Sequence, residues 1–327
     1  MLNTRAPATS EPGFLDDAMG RVDEVIRRRL ASRVALIDQI SQYIVSAGGK
    51  RIRPRLLLLF AEALGYRGDA RHELAAAIEF IHTATLLHDD VVDESALRRG
   101  RSTANALFGN AASVLVGDFL YSRAFQMMVS ANNMRVLDVL ADATNTIAEG
   151  EVLQLMNAND PETTEARYFE VIYRKTAKLF EAGAQVAAIV AGATPEVEAA
   201  MVAYGRHLGT AFQLVDDSLD YNADREQLGK NLGDDLAEGK PTLPLIYAMT
   251  HGSPEVAALL RRAIEGGGLD ELDAVTRAIE SSGGLEYTAR LARREADLAK
   301  DALSRLPESA YVGSLRGLAD FAVGRTY

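Results

Sequence analysis

Apolar residues recur along this chain at intervals of three and four, the spacing that keeps one face of a helix turned inward. Period-two alternation, the mark of a half-buried strand, is almost absent. The periodic segments are separated by turn chemistry at Gly48-Gly49, Gly65 to Gly68, Arg99-Gly100, Asn132-Asn133, Asn157 to Pro161 and Thr194-Pro195. Further breaks at 240–244, 252–254, 266–268, 281–284 and Pro307 mark shorter helices. No proline falls between Pro54 and Pro161, nor between Pro161 and Pro195, so long helices are permitted there. The pattern predicts an all-α chain, a bundle of ten or more helices, some long enough to line a deep central cavity.

Composition agrees with that reading. Hydrophobic residues make up 48% of the 327 positions, with Ala and Leu abundant and aromatics only 6%, which suits packed helices more than sheets. No linker or repeat divides the chain, so one domain over 1–327 is expected, with 1–13 as a flexible N-terminal extension. A formal net charge of -11 argues against a nucleic-acid surface, so any anionic ligand must meet a local basic pocket. The absence of cysteine excludes disulfides and thiol chemistry and fits a reducing cytoplasm, the expected location. The segment Met1 to Phe14 is polar, and no run of about 18 apolar residues follows, so a soluble protein without an integral membrane segment is expected.

The first chemical signal is Asp89-Asp90-Val91-Val92-Asp93, at the end of the apolar-periodic run 74–88. On a helix, Asp89 and Asp93 share a face one turn apart, where two carboxylates repel unless a cation lies between them. The arrangement returns as Asp216-Asp217-Ser218-Leu219-Asp220. Either cluster alone reads equally as a solvated acidic helix end; two matching clusters point to a shared hard cation. A calcium loop needs glycine at its sixth position, where Glu94 and Tyr221 stand instead. Mg²⁺ shared between carboxylates and ligand phosphates fits better, and so a diphosphate ligand is expected.

Two basic groups supply the complement. In Gly48-Gly49-Lys50-Arg51-Ile52-Arg53-Pro54-Arg55, glycines allow close backbone approach, Pro54 sits where a helix can begin, and Lys50 and Arg53 can converge. Arg98-Arg99-Gly100-Arg101 lies just beyond Asp93, within reach of the same ligand. A solvated basic turn is the alternative reading of either group alone, and an anion site the favoured one. His82, two helical turns before Asp89, is open between a core residue and a ligand, whereas His88 reads as a core histidine. Lys175, Thr176 and Gln213 mean little in isolation.

These motifs, GGKRIRP at 48–54, LLHDDVVDES at 86–95, RRG at 98–100, FQLVDDSLDY at 212–221 and GKNLGDDLAEGKPTLP at 229–244, resemble the trans-polyprenyl diphosphate synthase family in order and spacing over nearly the whole chain. The segments IEFIHTATLLHDDVVDES and FGNAASVLVGDFL look most similar to the bacterial octaprenyl diphosphate synthase branch. The resemblance implies a Mg²⁺-dependent prenyltransferase with an all-α isoprenoid-synthase bundle, usually a homodimer, that condenses isopentenyl diphosphate with an allylic diphosphate such as farnesyl diphosphate. Its product would be a long chain such as octaprenyl diphosphate for quinone side chains, with contact with a membrane left open for product release.

By that resemblance Lys50, Arg53, His82 and Arg99 would hold isopentenyl diphosphate, and Arg98, Lys175, Lys230 and Lys240 the allylic diphosphate. Asp89, Asp93 and Asp216 would ligate Mg²⁺ directly, three ions per site, with Asp90, Asp217 and Asp220 as ligands or acting through water. Thr176 and Gln213 would offer oxygen dipoles to a forming carbocation. A chain growing from the metals would pass Thr85 and Ala84, neither aromatic, along a helix from about Asp69 to Asp93 that gives roughly 30 Å of wall. Met127 or Met128 would form the floor, or else fill gaps in the core. A shorter- or longer-chain synthase, a class I terpene cyclase and a non-catalytic partner subunit are the rivals. The intact second cluster disfavours the last two.

Overall fold

The computed structural model describes residues 13–46, 48–98, 100–221 and 233–324. Sixteen α-helices and one two-stranded hairpin are found among them. The N-terminal extension, apart from Gly13, and Arg99 and Lys230 lie outside the described residues.

Helices α1 (Phe14–Leu30), α2 (Ala35–Ser46), α3 (Ile52–Ala63) and α4 (Ala70–Val92) are followed by the hairpin of β1 (Leu97–Arg98) and β2 (Arg101–Ser102). Then come α5 (Ala104–Phe108), α6 (Asn110–Ser130), α7 (Met134–Asn157), α8 (Glu165–Ile172), α9 (Lys178–Ala191) and α10 (Pro195–Leu219). The short α11 (Asp234–Ala237) precedes α12 (Leu243–His251), α13 (Pro254–Gly266), α14 (Leu272–Ser282), α15 (Gly284–Ala302) and α16 (Ala310–Val323).

The boundaries follow from capping chemistry. Asn133 accepts from the backbone N–H of Arg135 and Val136 to open α7, and Thr164, Thr194 and Ser253 do the same for α8, α10 and α13. Pro195 and Pro254 stand in the first turns of α10 and α13, where the missing N–H leaves no intrahelical bond unmade. Between α8 and α9 the helix widens into a π-helical turn, Tyr173–Ala177.

The main core gathers α1, α3, α4, α6, α7, α9, α10 and α16 around fully buried residues such as Leu56, Phe60, Ile78, Ile81, Phe180 and Tyr204. Smaller cores lie under α12 to α14 and between α8, α10, α12 and α15. Helix α10 lies close to α9 and to the π-helical turn: a Cβ on Gly205 would fall 2.6 Å from the Phe180 carbonyl oxygen, and one on Gly209 2.6 Å from Ala177 Cα. Only hydrogen fits there, so these glycines set how deeply α10 packs.

Candidate active site

The C-terminal ends of α4 and α10 open onto one cavity of about 720 Å³, with Asp89, Asp93, Asp216, Asp217 and Asp220 in its wall. Neither helix carries a basic residue in its last turn. Carboxylates at a helix C-terminus add to the negative end of the helix dipole, so both ends are strongly cation-seeking.

The members of each cluster have different neighbours. Asp93 caps α4, its N–H donating to the Asp89 carbonyl at 2.8 Å, and Lys240 Nζ lies 2.7 Å from its carboxylate. Asp89 faces Lys175 Nζ at 3.4 Å. Asp90 turns to the other flank of α4, where it borders a separate cavity of about 110 Å³ and accepts from Arg98 Nε at 2.8 Å. Only 5% of its side chain is exposed. The loop that delivers Arg98 is tied down by Asn105, whose amide donates to the Asp90 carbonyl, and by Tyr43, whose hydroxyl donates to the Ser102 carbonyl. At the second cluster, Asp217 is buried and accepts from the Tyr168 hydroxyl and from Gln213 Nε2 at 2.7 Å. Burial, reinforced by Asp235, pushes its carboxyl up to about 8 against those hydrogen bonds. Asp220 accepts from the backbone N–H of Asp235 at 3.0 Å.

Opposite the acids stand the cations expected of the 48–55 motif. Lys50, Arg53 and His82 line the same cavity, Lys50 lying over the Phe321 ring at 5.2 Å and Arg53 over the Phe180 ring at 4.3 Å. Burial pulls the Arg53 guanidinium down to about 10, with Glu79 and Asp216 resisting. Arg51 adopts the left-handed conformation at φ 47° as the N-cap residue, directly before α3 starts at Ile52. His88 lines neither cavity, but it is not the core histidine expected: 30% of its side chain is exposed, stacked on Tyr121, with Nε2 3.2 Å from the Val114 carbonyl and 3.4 Å from Asp118.

Lys175 and Thr176 sit in the π-helical turn, a local widening that often marks a functional site. Thr176 donates to Gln213 Oε1 at 2.9 Å, and Gln213 passes the contact to Asp217, so three residues of the cavity wall form one relay. Lys175 Nζ is 2.6 Å from Glu151 Oε2 and 2.6 Å from Gln154 Oε1, both on α7. Burial opposes its charge, but Asp89 and Glu151 outweigh it, and the pKa stands above the usual lysine value. Lys240 is raised for the same reason, by Asp93 and Glu238 against burial. Burial pushes the Glu151 carboxyl up to about 7, against the pull of Lys175 and with help from Asp89.

Of the chain-length candidates, Thr85 lines the cavity, whereas Ala84, Met127 and Met128 are fully buried in the main core and border neither cavity. A phenylalanine at Ala84 would therefore meet packed neighbours rather than open tunnel. Sequence reasoning missed Glu151, Gln154, Tyr168, Asp235 and Glu238, all in the cavity wall. Faint signs were present: Glu151 and Gln154 are three apart on α7, and Glu238 is two residues before Lys240.

Among the described residues no group of three or more His, Cys, Asp or Glu stands close enough to hold an ion alone. The facing donors are nevertheless all carboxylate oxygens, and the ammonium groups of Lys175 and Lys240 rest against Asp89 and Asp93 as stand-in cations. That donor set fits hard divalent ions that complete their shells with ligand oxygens.

The family model described as Polyprenyl synthetase matches residues 34–281. Octaprenyl diphosphate synthase of Escherichia coli (strain K12) is 61% identical over 308 residues, 94% of this chain and 95% of that protein. All-trans-nonaprenyl-diphosphate synthase (geranyl-diphosphate specific) of Rhodobacter capsulatus is 48% identical over 306 residues, 93% of this chain and 94% of that protein. The crystal structure of polyprenyl synthase from Caulobacter crescentus CB15, complexed with calcium and isoprenyl diphosphate, superposes with a TM-score of 0.92 at 45% identity, covering 98% of this chain and 100% of that one.

Proposed function

The chain belongs to the polyprenyl synthetase family, and on that footing we propose that it lengthens an allylic diphosphate by adding isopentenyl diphosphate units in the all-trans configuration. The carrying observation is one cavity in which two acidic helix ends face each other and Lys50 and Arg53 share the wall.

Asp89, Asp93 and Asp216 would hold Mg²⁺, three ions per site, and the metal supplies charge neutralisation that makes diphosphate a competent leaving group. The relative bound to calcium and isoprenyl diphosphate supports this. Lys50, Arg53 and His82 bind isopentenyl diphosphate, joined by Arg99; Arg98, Lys175 and Lys240, joined by Lys230, bind the allylic diphosphate and stabilise its negative charge as the C–O bond breaks. Thr176 commits its proton to Gln213, so its hydroxyl lone pairs can face the positive charge left on the allyl group. The double bond of isopentenyl diphosphate forms the new C–C bond, and the proton lost afterwards goes to the released diphosphate. Phe212, Val171 and Ile172 in the wall help exclude the water that would quench the cation.

The identity to octaprenyl diphosphate synthases supports a C40 product, which we take to be built on farnesyl diphosphate for quinone side chains. The nonaprenyl relative favours a slightly longer product as the second reading. The intended partner is a second copy of the chain. Leu115, Phe125 and Val129 on α6 and Val152, Leu155 and Met156 on α7 expose apolar side chains, Leu115 66% and Met156 70%, which supports that reading. Among the described residues no helix is long and apolar enough to cross a membrane, which is compatible with a cytoplasmic enzyme that meets a membrane only to release product.

Incubation with farnesyl diphosphate, labelled isopentenyl diphosphate and Mg²⁺, followed by product sizing, tests the reading. A metal-dependent C40 ladder is expected; no elongation would overturn it. In the same assay Met128→Ala, which changes the core and not the cavity wall, should leave the product distribution unchanged, and a longer product would make Met128 the floor after all.

A further inference from the structure

Two lysines in the cavity are each shared between a cluster aspartate and a glutamate outside the clusters. Lys175 lies between Asp89 at 3.4 Å and Glu151 at 2.6 Å, and Lys240 between Asp93 at 2.7 Å and Glu238. The two arrangements come from unrelated parts of the chain. Glu151 arrives on α7, which approaches the π-helical turn through Gly150, where a Cβ would fall 2.8 Å from the Lys175 backbone nitrogen. Glu238 sits in the turn after α11, fixed when the Lys240 N–H donates to the Asp235 carbonyl at 2.8 Å.

An ammonium has three donors, and one held in a low-dielectric wall needs a counter-charge whatever its neighbours do. When a divalent ion takes Asp89 and Asp93, it repels both ammonium groups from those carboxylates. Without a second acceptor each lysine would either compete with the metal or turn to solvent. Resting on the prenyl-transfer reading, we infer that Glu151 and Glu238 are positioning residues that retain Lys175 and Lys240 at the cavity wall once metal claims the aspartates. The donor released from each aspartate is then aimed at the allylic diphosphate. Gln154, 2.6 Å from Lys175, adds a second anchor for that lysine, and the Asp235 carboxylate also favours the charge of Lys240.

The test uses the full chain, with Glu151→Ala, Glu238→Ala, the isosteric Glu151→Gln and Glu238→Gln, and Glu149→Gln as control. Glu149 lies on the same helix, paired to Arg174 with 55% of its side chain exposed. Two quantities are read: calorimetric binding of inorganic diphosphate at stepped Mg²⁺, and KM for each substrate. The alanine variants should need more Mg²⁺, bind diphosphate about tenfold more weakly and raise KM for farnesyl diphosphate by a similar factor. KM for isopentenyl diphosphate should hold, the glutamine variants should recover part of the loss, and Glu149→Gln should match the wild type. Wild-type diphosphate binding in both alanine variants, or an equal rise in both KM values, would overturn the inference. If the wild type binds diphosphate in the glutamate-dependent way yet elongates nothing, the prenyl-transfer reading falls and the lysine positioning stands.

Discussion

At the end of α4 the middle aspartate of the cluster, Asp90, is gripped by the Arg98 guanidinium, whereas at the end of α10 its counterpart, Asp217, is held by a phenol and an amide. The outer aspartates of the first cluster already carry ammonium partners, Lys175 and Lys240. Two stretches of the same pattern thus divide their labour: the outer carboxylates face the cavity, and the middle ones brace the wall, one ionically and one through neutral donors. Burial raises both middle carboxyls, Asp90 against the Arg98 guanidinium and Asp217 against its neutral donors, so what differs between the clusters is the partner that resists it.

The sharpest way to break the comparison is to treat the outer aspartates as equivalent. Asp89→Ala and Asp216→Ala should each reduce turnover about a thousandfold, the scale of losing a principal electrostatic stabiliser, without changing the far-ultraviolet circular dichroism. Near-normal turnover in either variant would show that only the other cluster carries the chemistry. A smaller effect separates the middle residues. Asp90→Asn removes the charge that Arg98 needs and should lower stability by about 1–2 kcal/mol, the lower end applying because a third of Arg98 meets solvent. Asp217→Asn keeps an acceptor for Gln213, while the Tyr168 hydroxyl can turn to accept from the new amide, so stability should change by about 1 kcal/mol or less. Denaturant midpoints that fall equally would erase the distinction between the two braces.

Much of this was legible in the residues. The all-α fold followed from periodicity and proline placement, and the long helix expected from about Asp69 to Asp93 is α4, with those two residues as its caps. The outer aspartates, Lys50, Arg53, His82 and Lys240 meet in one cavity as the motifs required. Asp90 was grouped with its neighbours, although one residue along a helix is about 100° around its axis. The same geometry explains Ala84: Thr85 is one turn before Asp89 and shares its face, while Ala84 is a further residue round and packs inward. Met127 and Met128 depend on how α6 meets the core, which no local spacing encodes. The π-helical turn has no residue signature, and Gly150, the residue that lets α7 reach it, is one glycine among 26. Glu151 and Gln154 became visible only once α7 and that turn were side by side.

The most direct measurement is diffraction from crystals grown with Mg²⁺ and inorganic diphosphate. Ions about 2.1 Å from oxygens of Asp89 and Asp93 on one side and Asp216 on the other, each also bound to the diphosphate, are expected. Asp90 should still be on Arg98 and Asp217 still on Tyr168. Diphosphate bound by the basic residues alone, with no ion on the outer aspartates, would contradict the account.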